Sequence, residues 1–373
     1  MTANRKRVVV AMSGGVDSSV TAALLRDAGY DVVGITLNPW VEVEGRGQVA
    51  GPRKRSCSPE DVLDAREVAR RLGIPHYVFN VQAEFRRWVL DYYVAEYQRG
   101  RTPNPCLPCN RHIRFGLLLN RALALGADYL ATGHYARIRR DDAGRYHLLR
   151  AVDPQKDQSY VLYHLGQFEL SRTLFPLGEY TKAQVRALAA QLGLPVADKP
   201  ESQDFCFLGG LDYRDWLSLQ AVEVQPGPIE DLSGRRLGEH RGIVFYTVGQ
   251  RRGLGVSAGV PLYVIAIDPV RNAVIVGPEE ALYRDALEAE QVSWVSGQAP
   301  EGPIRVTARI RYRAPEAPAT LEPRPDGSVL VRFDEPQRAP TPGQAVVFYQ
   351  GDEVLGGGII RKVAPVPVLA SAR

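Results

Sequence analysis

The order of patterns in residues 7–132 restricts the fold more than any other feature. A short β-branched run (residues 7–12) leads straight into Ser13-Gly14-Gly15-Val16-Asp17-Ser18-Ser19. A helical spacing over residues 18–28 follows, is stopped by Gly29, and gives way to a second strand pattern over residues 31–37. Ser58-Pro59-Glu60-Asp61 then combines a capping residue, a proline suited to the first helical position and first-turn acids, and opens a helix that Gly73 stops. Residues 74–80 read as a third strand, residues 82–98 and 110–125 as helices, and residues 129–132 as a further strand. Such alternation predicts a doubly wound parallel sheet, an α/β domain whose ligands bind beyond the carboxyl ends of the strands.

Downstream the texture changes. A hairpin is expected through residues 141–144, and one more helix is marked by Thr181 as cap, Gln184 three residues on and Gly193 as stop. From about residue 211 glycine and proline become frequent between short β-branched runs at 242–248, 261–267 and 273–276. The expected division is an α/β unit over residues 1–210, a small mainly β central domain over 211–280 and a C-terminal β-barrel over 285–363, with a loose tail after it. With 45% hydrophobic and 24% charged residues, disorder, collagen-like and coiled-coil classes are excluded. Apolar runs fall far short of the roughly 18 to 20 residues that span a bilayer, and residues 1–7 carry no signal-peptide pattern, so no membrane is expected and the cytoplasm is the expected location.

Charge is unevenly spread. Residues 86–114 hold six arginines against Asp91 and Glu96, a local +4 that equals the net charge of the chain and favours an anionic partner. A strand over residues 304–313 would put Arg305, Thr307, Arg309, Arg311 and Arg313 on one face and Val306, Ala308, Ile310 and Tyr312 on the other. Isolated basic strand faces are as often simply solvated as they are bound to nucleic acid.

The serine-rich loop after the first strand has the makings of a phosphate cradle. A helix start offers free N–H groups and a positive dipole end, glycines let an anion approach the backbone, and hydroxyls add donors. It lacks the lysine of the Walker A pattern and does not match GxGxxG, which argues against ordinary P-loop hydrolysis and dinucleotide binding. Four cysteines at 57, 106, 109 and 206 cannot form a disulfide framework and point to reactive or ligating thiols. In Gly100-Arg101-Thr102-Pro103-Asn104-Pro105-Cys106-Leu107-Pro108-Cys109-Asn110, Asn110 is expected to cap the next helix and place Cys109 at its N-terminus, where a thiolate is favoured. Cys206, between Phe205 and Phe207, would by itself read as a small buried hydrophobe. Cys57, in a polar loop, is assigned no role.

SGGVDSS resembles the PP-loop of the ATP pyrophosphatases, which include guanylate, argininosuccinate and NAD synthetases. Taken in order, AMSGGVDSSV, GRTPNPCxxCN, ATGHYAR, KDQSYVL, ESQDFCF and TVGQRRGLG resemble the tRNA-specific 2-thiouridylases over nearly the full length. The resemblance implies that ATP, with Mg2+, adenylates the wobble uridine of a tRNA at O2, that pyrophosphate leaves, and that sulfur then replaces the activated oxygen. It implies Cys206 as persulfide carrier and Cys109 as partner nucleophile, able to end in a disulfide with Cys206. It further implies that Ala11, Met12, Ser13, Gly14, Gly15, Val16, Asp17, Ser18, Leu37 and Gly133 line the ATP site, and that Asn104, Pro105 and Cys106 meet the target base. His134, Lys156, Asp157, Gln158, Arg311, Tyr312 and Gln344 are the implied tRNA contacts, although Lys156-Asp157-Gln158 and His134 alone would read as a solvated turn and a loop histidine. The implied partners are tRNA and a sulfur donor such as a cysteine desulfurase or a persulfide carrier protein. A flipped, single-stranded anticodon base is a sensible substrate for a buried pocket.

The chain departs from the commoner family pattern at Cys106, where many members carry aspartate. Two readings follow. Either Cys106 is a bystander or alternative base beside a Cys109/Cys206 persulfide pair, or Cys106, Cys109 and Cys206 hold three irons of a [4Fe–4S] cluster whose open iron binds hydrosulfide. The other open alternatives are a PP-loop enzyme thiolating a different tRNA base and a non-catalytic RNA-binding or iron–sulfur protein.

Overall fold

The structure is a computed structural model, and it describes residues 5–39, 59–201, 205–220, 222, 224–256 and 259–364. Cys57, Ser202, Gln203, Asp204 and the expected tail lie outside the described residues.

Three valines explain the position of the first strand, β1 (Arg7–Ala11). Val8 and Val10 enter one core and Val9 the core on the opposite face, so this strand is buried on both sides. Helix α1 (Val16–Asp27) returns the chain to β2 (Asp31–Asn38), and α2 (Pro59–Leu72) to β3 (His76–Asn80). Helix α3 (Gln82–Phe85) runs through a π-helical turn (Arg86–Leu90) into α4 (Asp91–Gln98). A second helical run joins α5 (Cys106–Pro108), a π-helical stretch (Cys109–Leu118) and α6 (Leu119–Ala124), and leads to β4 (Tyr129–Ala131). The hairpin β5 (Ala136–Arg140) and β6 (Tyr146–Arg150) and the short helix α7 (Gln167–Ser171) precede a two-residue strand, β7 (Thr173–Leu174), which no sequence pattern marked. Helix α8 (Lys182–Gln191) carries the expected cap.

The parallel sheet has the order β3-β2-β1-β4-β7. Helices α1, α2 and α8 pack with Val8 and Val10, while Phe115, Leu118, Leu119 and Ala122 pack with Val9 on the other face. The doubly wound expectation holds. Because β2 and β4 flank β1, strand order reverses there, and the crevice at their carboxyl ends is where such sheets take ligands.

After α9 (Tyr213–Ser218), β8 (Gly227–Glu230), β9 (Arg236–His240), β10 (Tyr263–Asp268) and β11 (Ala273–Gly277) form a small sheet in the order β10-β11-β8-β9. The strand expected over residues 242–248 is not one. Its center is a 3-10 turn (Ile243–Phe245), because its apolar side chains divide between two cores, Val244 in one and Ile243 and Tyr246 in another.

The C-terminal strands β12 (Tyr283–Trp294), β13 (Ile304–Arg309), β14 (Ala317–Pro323), β15 (Val329–Arg338), β16 (Ala345–Gln350) and β17 (Glu353–Val363) close into a barrel through β12–β17 pairing. The start of β17 also pairs with β6, Glu353 opposite Leu149, so the hairpin extends the barrel sheet. Strand β13 stops at Arg309 instead of running to residue 313: Ile310 is buried and the chain turns through Arg311 and Tyr312. Among the described residues no helix is long and apolar enough to cross a membrane.

Candidate active site

The cradle forms where β1 ends. Ala11 closes the strand, and Met12 is tied to β2 through its N–H to Ile35 (2.8 Å) and its carbonyl to the Thr36 hydroxyl (2.7 Å). The Ser18 hydroxyl accepts the Ser13 N–H at 3.1 Å and donates to the Gly15 carbonyl at 3.2 Å, which Ser19 also reaches at 2.8 Å. Buried Ser18 and Ser19 therefore shape the loop, while Ser13 stays exposed. Gly14 has φ +71°, and a Cβ there would sit 2.1 Å from the Asp61 carbonyl oxygen, so only glycine fits. A Cβ on Gly133, just beyond β4, would come within 2.9 Å of the Asp17 carbonyl carbon and the Ser18 nitrogen. Val16 is buried at the start of α1. These residues, expected to line one nucleotide site, do converge on one turn.

Two lysines that the sequence did not single out lie against this loop. Lys182 places Nζ 2.7 and 2.8 Å from the two Asp17 carboxylate oxygens, and the Tyr135 hydroxyl donates to Asp17 at 2.8 Å. Burial and the Asp17 charge keep the Tyr135 phenol protonated, far above its usual range. Lys199 donates to the Gly14 carbonyl (2.9 Å), to Asp61 (2.5 Å) and to Asp64 (2.5 Å). Glu201 completes the network with Lys156 at 2.5 Å and Lys182 at 3.2 Å. The available signal was chemical: a phosphate loop without its own lysine needs cations from elsewhere, but which lysines supply them is a tertiary matter.

Helix placement changes the expectation for the thiols. The helix begins at Cys106, not Asn110, because Asn104 accepts the Cys106 N–H at 3.0 Å and proline is tolerated in a first turn, where its missing N–H costs nothing. Cys109 is thus inside the helix, its N–H bonded to Pro105 at 3.2 Å, and the helix-terminus argument for its thiolate does not apply. Asn110 is no cap; it donates to the Val161 carbonyl (3.3 Å) and accepts from Arg114 (2.7 Å). Asn104 and Pro105 are buried. Burial, reinforced by the nearby Cys109, pushes the Cys106 thiol up to about 11 against the opposing effect of Arg114.

Cys109 and Cys206 pack against the same apolar cluster, built by Val89, Tyr93, Ile113 and Trp216. Phe205 and Phe207, on either side of Cys206, lie parallel with centroids 6.2 Å apart and both meet Tyr93 edge-on. Leu37, near the carboxyl end of β2, touches this cluster and also the one that takes Cys106. Among the described residues no group of three or more His, Cys, Asp or Glu side chains is placed to hold a metal ion.

The residues implied to touch tRNA divide into two groups. Tyr312 stands close enough to Asp157 and Cys106 to feel both, with its ring centroid 6.0 Å from that of Tyr160. Gln344 donates to the Thr102 carbonyl at 2.8 Å, and Thr102 donates to Pro342 at 2.8 Å, so the barrel holds the loop that carries Asn104. Arg311 is tied to the Arg338 carbonyl at 3.1 Å. Lys156 instead faces Glu201 beside the cradle, and Gln158 accepts the Tyr135 N–H at 3.0 Å. Asp157 is buried and committed to the Ala151 and Ser159 N–H groups and to Arg309. His134 bonds Thr132 at 2.7 Å, and burial holds its imidazole well below the usual range, hence neutral.

The two basic stretches are less open than their composition suggests. Arg305 pairs with Asp334 at the exposed surface and the shielded Arg309 pairs with Glu316, so two of the four guanidinium groups of the expected ribbon are held by acids of the barrel. In the other stretch Arg99 and Arg101 converge on buried Glu96, and Arg101 also reaches Glu290 of the barrel at 2.8 Å.

The family model described as tRNA methyl transferase HUP domain matches residues 6–210, the PRC-barrel domain model of that series residues 217–278, and the aminomethyltransferase beta-barrel domain model residues 284–360. The chain is 55% identical over 374 residues to the tRNA-specific 2-thiouridylase MnmA of Roseiflexus sp. (strain RS-1), covering 95% of this chain and 99% of the relative. The protein of the same description from Moorella thermoacetica (strain ATCC 39073 / JCM 9320) is 55% identical over 362 residues, covering 96% and 100%. That of Chloroflexus aggregans (strain MD-66 / DSM 9485) is 54% identical over 357 residues, covering 95% and 98%. With identity above half along nearly the whole of each chain, this protein belongs to the family of tRNA-specific 2-thiouridylases.

Proposed function

We propose that this chain is an ATP-dependent tRNA sulfurtransferase that replaces O2 of the wobble uridine by sulfur. The observation that carries the reading is the position of Leu37: from the strand beside the phosphate cradle it packs against both thiol-bearing clusters, so nucleotide chemistry and sulfur chemistry share one rim. The N–H groups at the start of α1, with Ser13 exposed beside them, suit the phosphates of ATP, and the nucleotide's own oxygens would carry Mg2+. Asn104, Pro105 and Cys106 form the wall for the flipped base, with Tyr312 opposite. Lys156, Gln158, His134, Arg311 and Gln344 border the tRNA path, and Asp157 braces Arg309.

In the proposed sequence the uracil O2 attacks the α-phosphorus, the bond to pyrophosphate breaks, and carbon 2 carries AMP as a leaving group. The outer sulfur of a Cys206 persulfide, loaded by a donor such as a cysteine desulfurase or a carrier protein, attacks carbon 2 and AMP departs with the oxygen. The Cys109 thiolate then attacks the inner sulfur, which breaks the S–S bond, leaves one sulfur on the base and joins Cys109 to Cys206 as a disulfide. A dithiol reductant restores both thiols. With its thiol held near 11, Cys106 stays protonated at neutral pH and makes a poor general base, which favors its reading as a bystander in this sequence of steps.

The test is mass spectrometry of nucleosides from unmodified tRNA incubated with ATP and a persulfide donor, with iron measured in the same anaerobic preparation. Thiolated wobble uridine from iron-free protein, lost in Cys206→Ser with tRNA binding retained, is the expected result. Thiolated cytidine, untouched uridine or activity that tracks iron content rejects the reading.

A further inference from the structure

A triphosphate brings several negative charges to a loop whose own side chain, Asp17, is a carboxylate in the first turn of α1. Such a carboxylate repels the phosphates unless a cation offsets it. Lys182 and Lys199 both lie against the loop, but their surroundings differ. Lys199 is enclosed by the carboxylates of Asp61 and Asp64 and the Gly14 carbonyl. Burial works against its charge, yet the two carboxylates outweigh that effect and hold its pKa above the usual value. Its bonds to Asp61, Asp64 and the Gly14 carbonyl join α2 to the loop. That is a brace.

Lys182 is placed differently. Its side chain is 12% exposed, and its two carboxylate partners are Asp17 of the loop itself, 33% exposed, and Glu201, 34% exposed. It sits at the first residue of α8, fixed by the Thr181 cap and by its own N–H to Asp153 at 2.9 Å, so the backbone is rigid while the four-carbon stem can turn. An ammonium with three donors can serve Asp17 and a phosphate together. We propose that Lys182 is the cation that completes the phosphate cradle, sharing its ammonium between Asp17, Glu201 and the pyrophosphate half of ATP, whereas Lys199 only braces the loop. This rests on the reading of the cradle as an ATP site.

The test measures binding of ATP, pyrophosphate and AMP to the full chain by calorimetry. Lys182→Gln is expected to weaken ATP and pyrophosphate by about tenfold or more while AMP changes by less than about twofold, and Lys182→Arg to restore most of the loss. Lys199→Gln is expected to lower the melting temperature and to affect ATP and AMP alike. Equal losses for ATP and AMP in Lys182→Gln, or no loss in either, overturn the assignment. Should that variant not fold, the wild-type chain answers instead: ATP and pyrophosphate, but not AMP, must shield Lys182 from reductive methylation mapped by mass spectrometry, and its absence of shielding overturns the inference. Wild-type protein that binds no ATP overturns the cradle reading itself, whereas ATP binding indifferent to Lys182 overturns this inference alone.

Discussion

At the scale of single residues, a thiol's behavior follows from its surroundings more than from its place in a motif. Cys106 and Cys109 share one C-x-x-C, yet burial pushes Cys106 up to about 11. At neutral pH a thiol held there exists almost entirely as S–H and is a poor nucleophile. Iodoacetamide followed by peptide mapping should therefore leave Cys106 unmodified at about pH 8 and label it only as pH approaches its shifted value, since the thiolate is what reacts. Labelling of Cys106 at pH 8 as fast as a small free thiol would contradict this. The residues legible in the sequence were those whose role is local: Gly15, Ser18 and Ser19 build one turn from neighbors within a few positions. Lys182 and Lys199 were not legible, because their partner atoms are 165 and 185 residues away along the chain.

Elements follow the same division. Helix α8 was fully marked, since Thr181 and Gln184 exchange bonds within one turn, 2.7 Å from the Thr181 N–H to the Gln184 side chain and 3.3 Å from the Gln184 N–H to the Thr181 hydroxyl. Replacing Thr181 by alanine leaves the Gln184 N–H without its partner and should cost about 1 kcal/mol, read as a lower urea midpoint. An unchanged midpoint would mean that the helix is held by tertiary packing alone. The helix start at Cys106 was misplaced because Asn110 and Asn104 are both good caps, and local sequence does not decide between them. Strand β13 was read too long for a related reason: its alternation continues to residue 313, but the strand ends at Arg309 and the chain bends at Ile310 and turns. The π-helical stretch that starts at Cys109 has no recognized sequence signal and is of a kind often found at functional sites.

For the molecule as a whole, the catalytic sheet and the barrel are not independent bodies joined by a linker. Tyr160 and Leu162 share one core with Val295, Val347, Tyr349 and Ile359 of the barrel, and the Tyr160 hydroxyl donates to the Ala345 carbonyl at 2.8 Å. The β5–β6 hairpin adds a charged fastening. His147 lies between Asp141 of its own hairpin (3.1 Å) and Glu353 of β17 (2.7 Å). Hydrogen bonds that His147 donates to Glu353 and then to Asp141 raise its pKa above the ordinary 6.5, and the bond to His147 is the largest influence lowering Asp141 below its ordinary 3.8. The signs of these shifts define the window in which the fastening acts. The contribution of His147 is complete below the unfolded-state value and disappears as pH rises through its higher folded-state value. That of Asp141 is complete above its unfolded-state value and disappears as pH falls through its lower folded-state value. The fastening is therefore strongest in mildly acid solution. His147→Gln should melt below the wild type at about pH 6 and match it at about pH 9, where the wild-type imidazole is itself neutral. A difference as large at pH 9 as at pH 6 would assign the effect to packing of the ring and remove the ion pair as the link between hairpin and barrel.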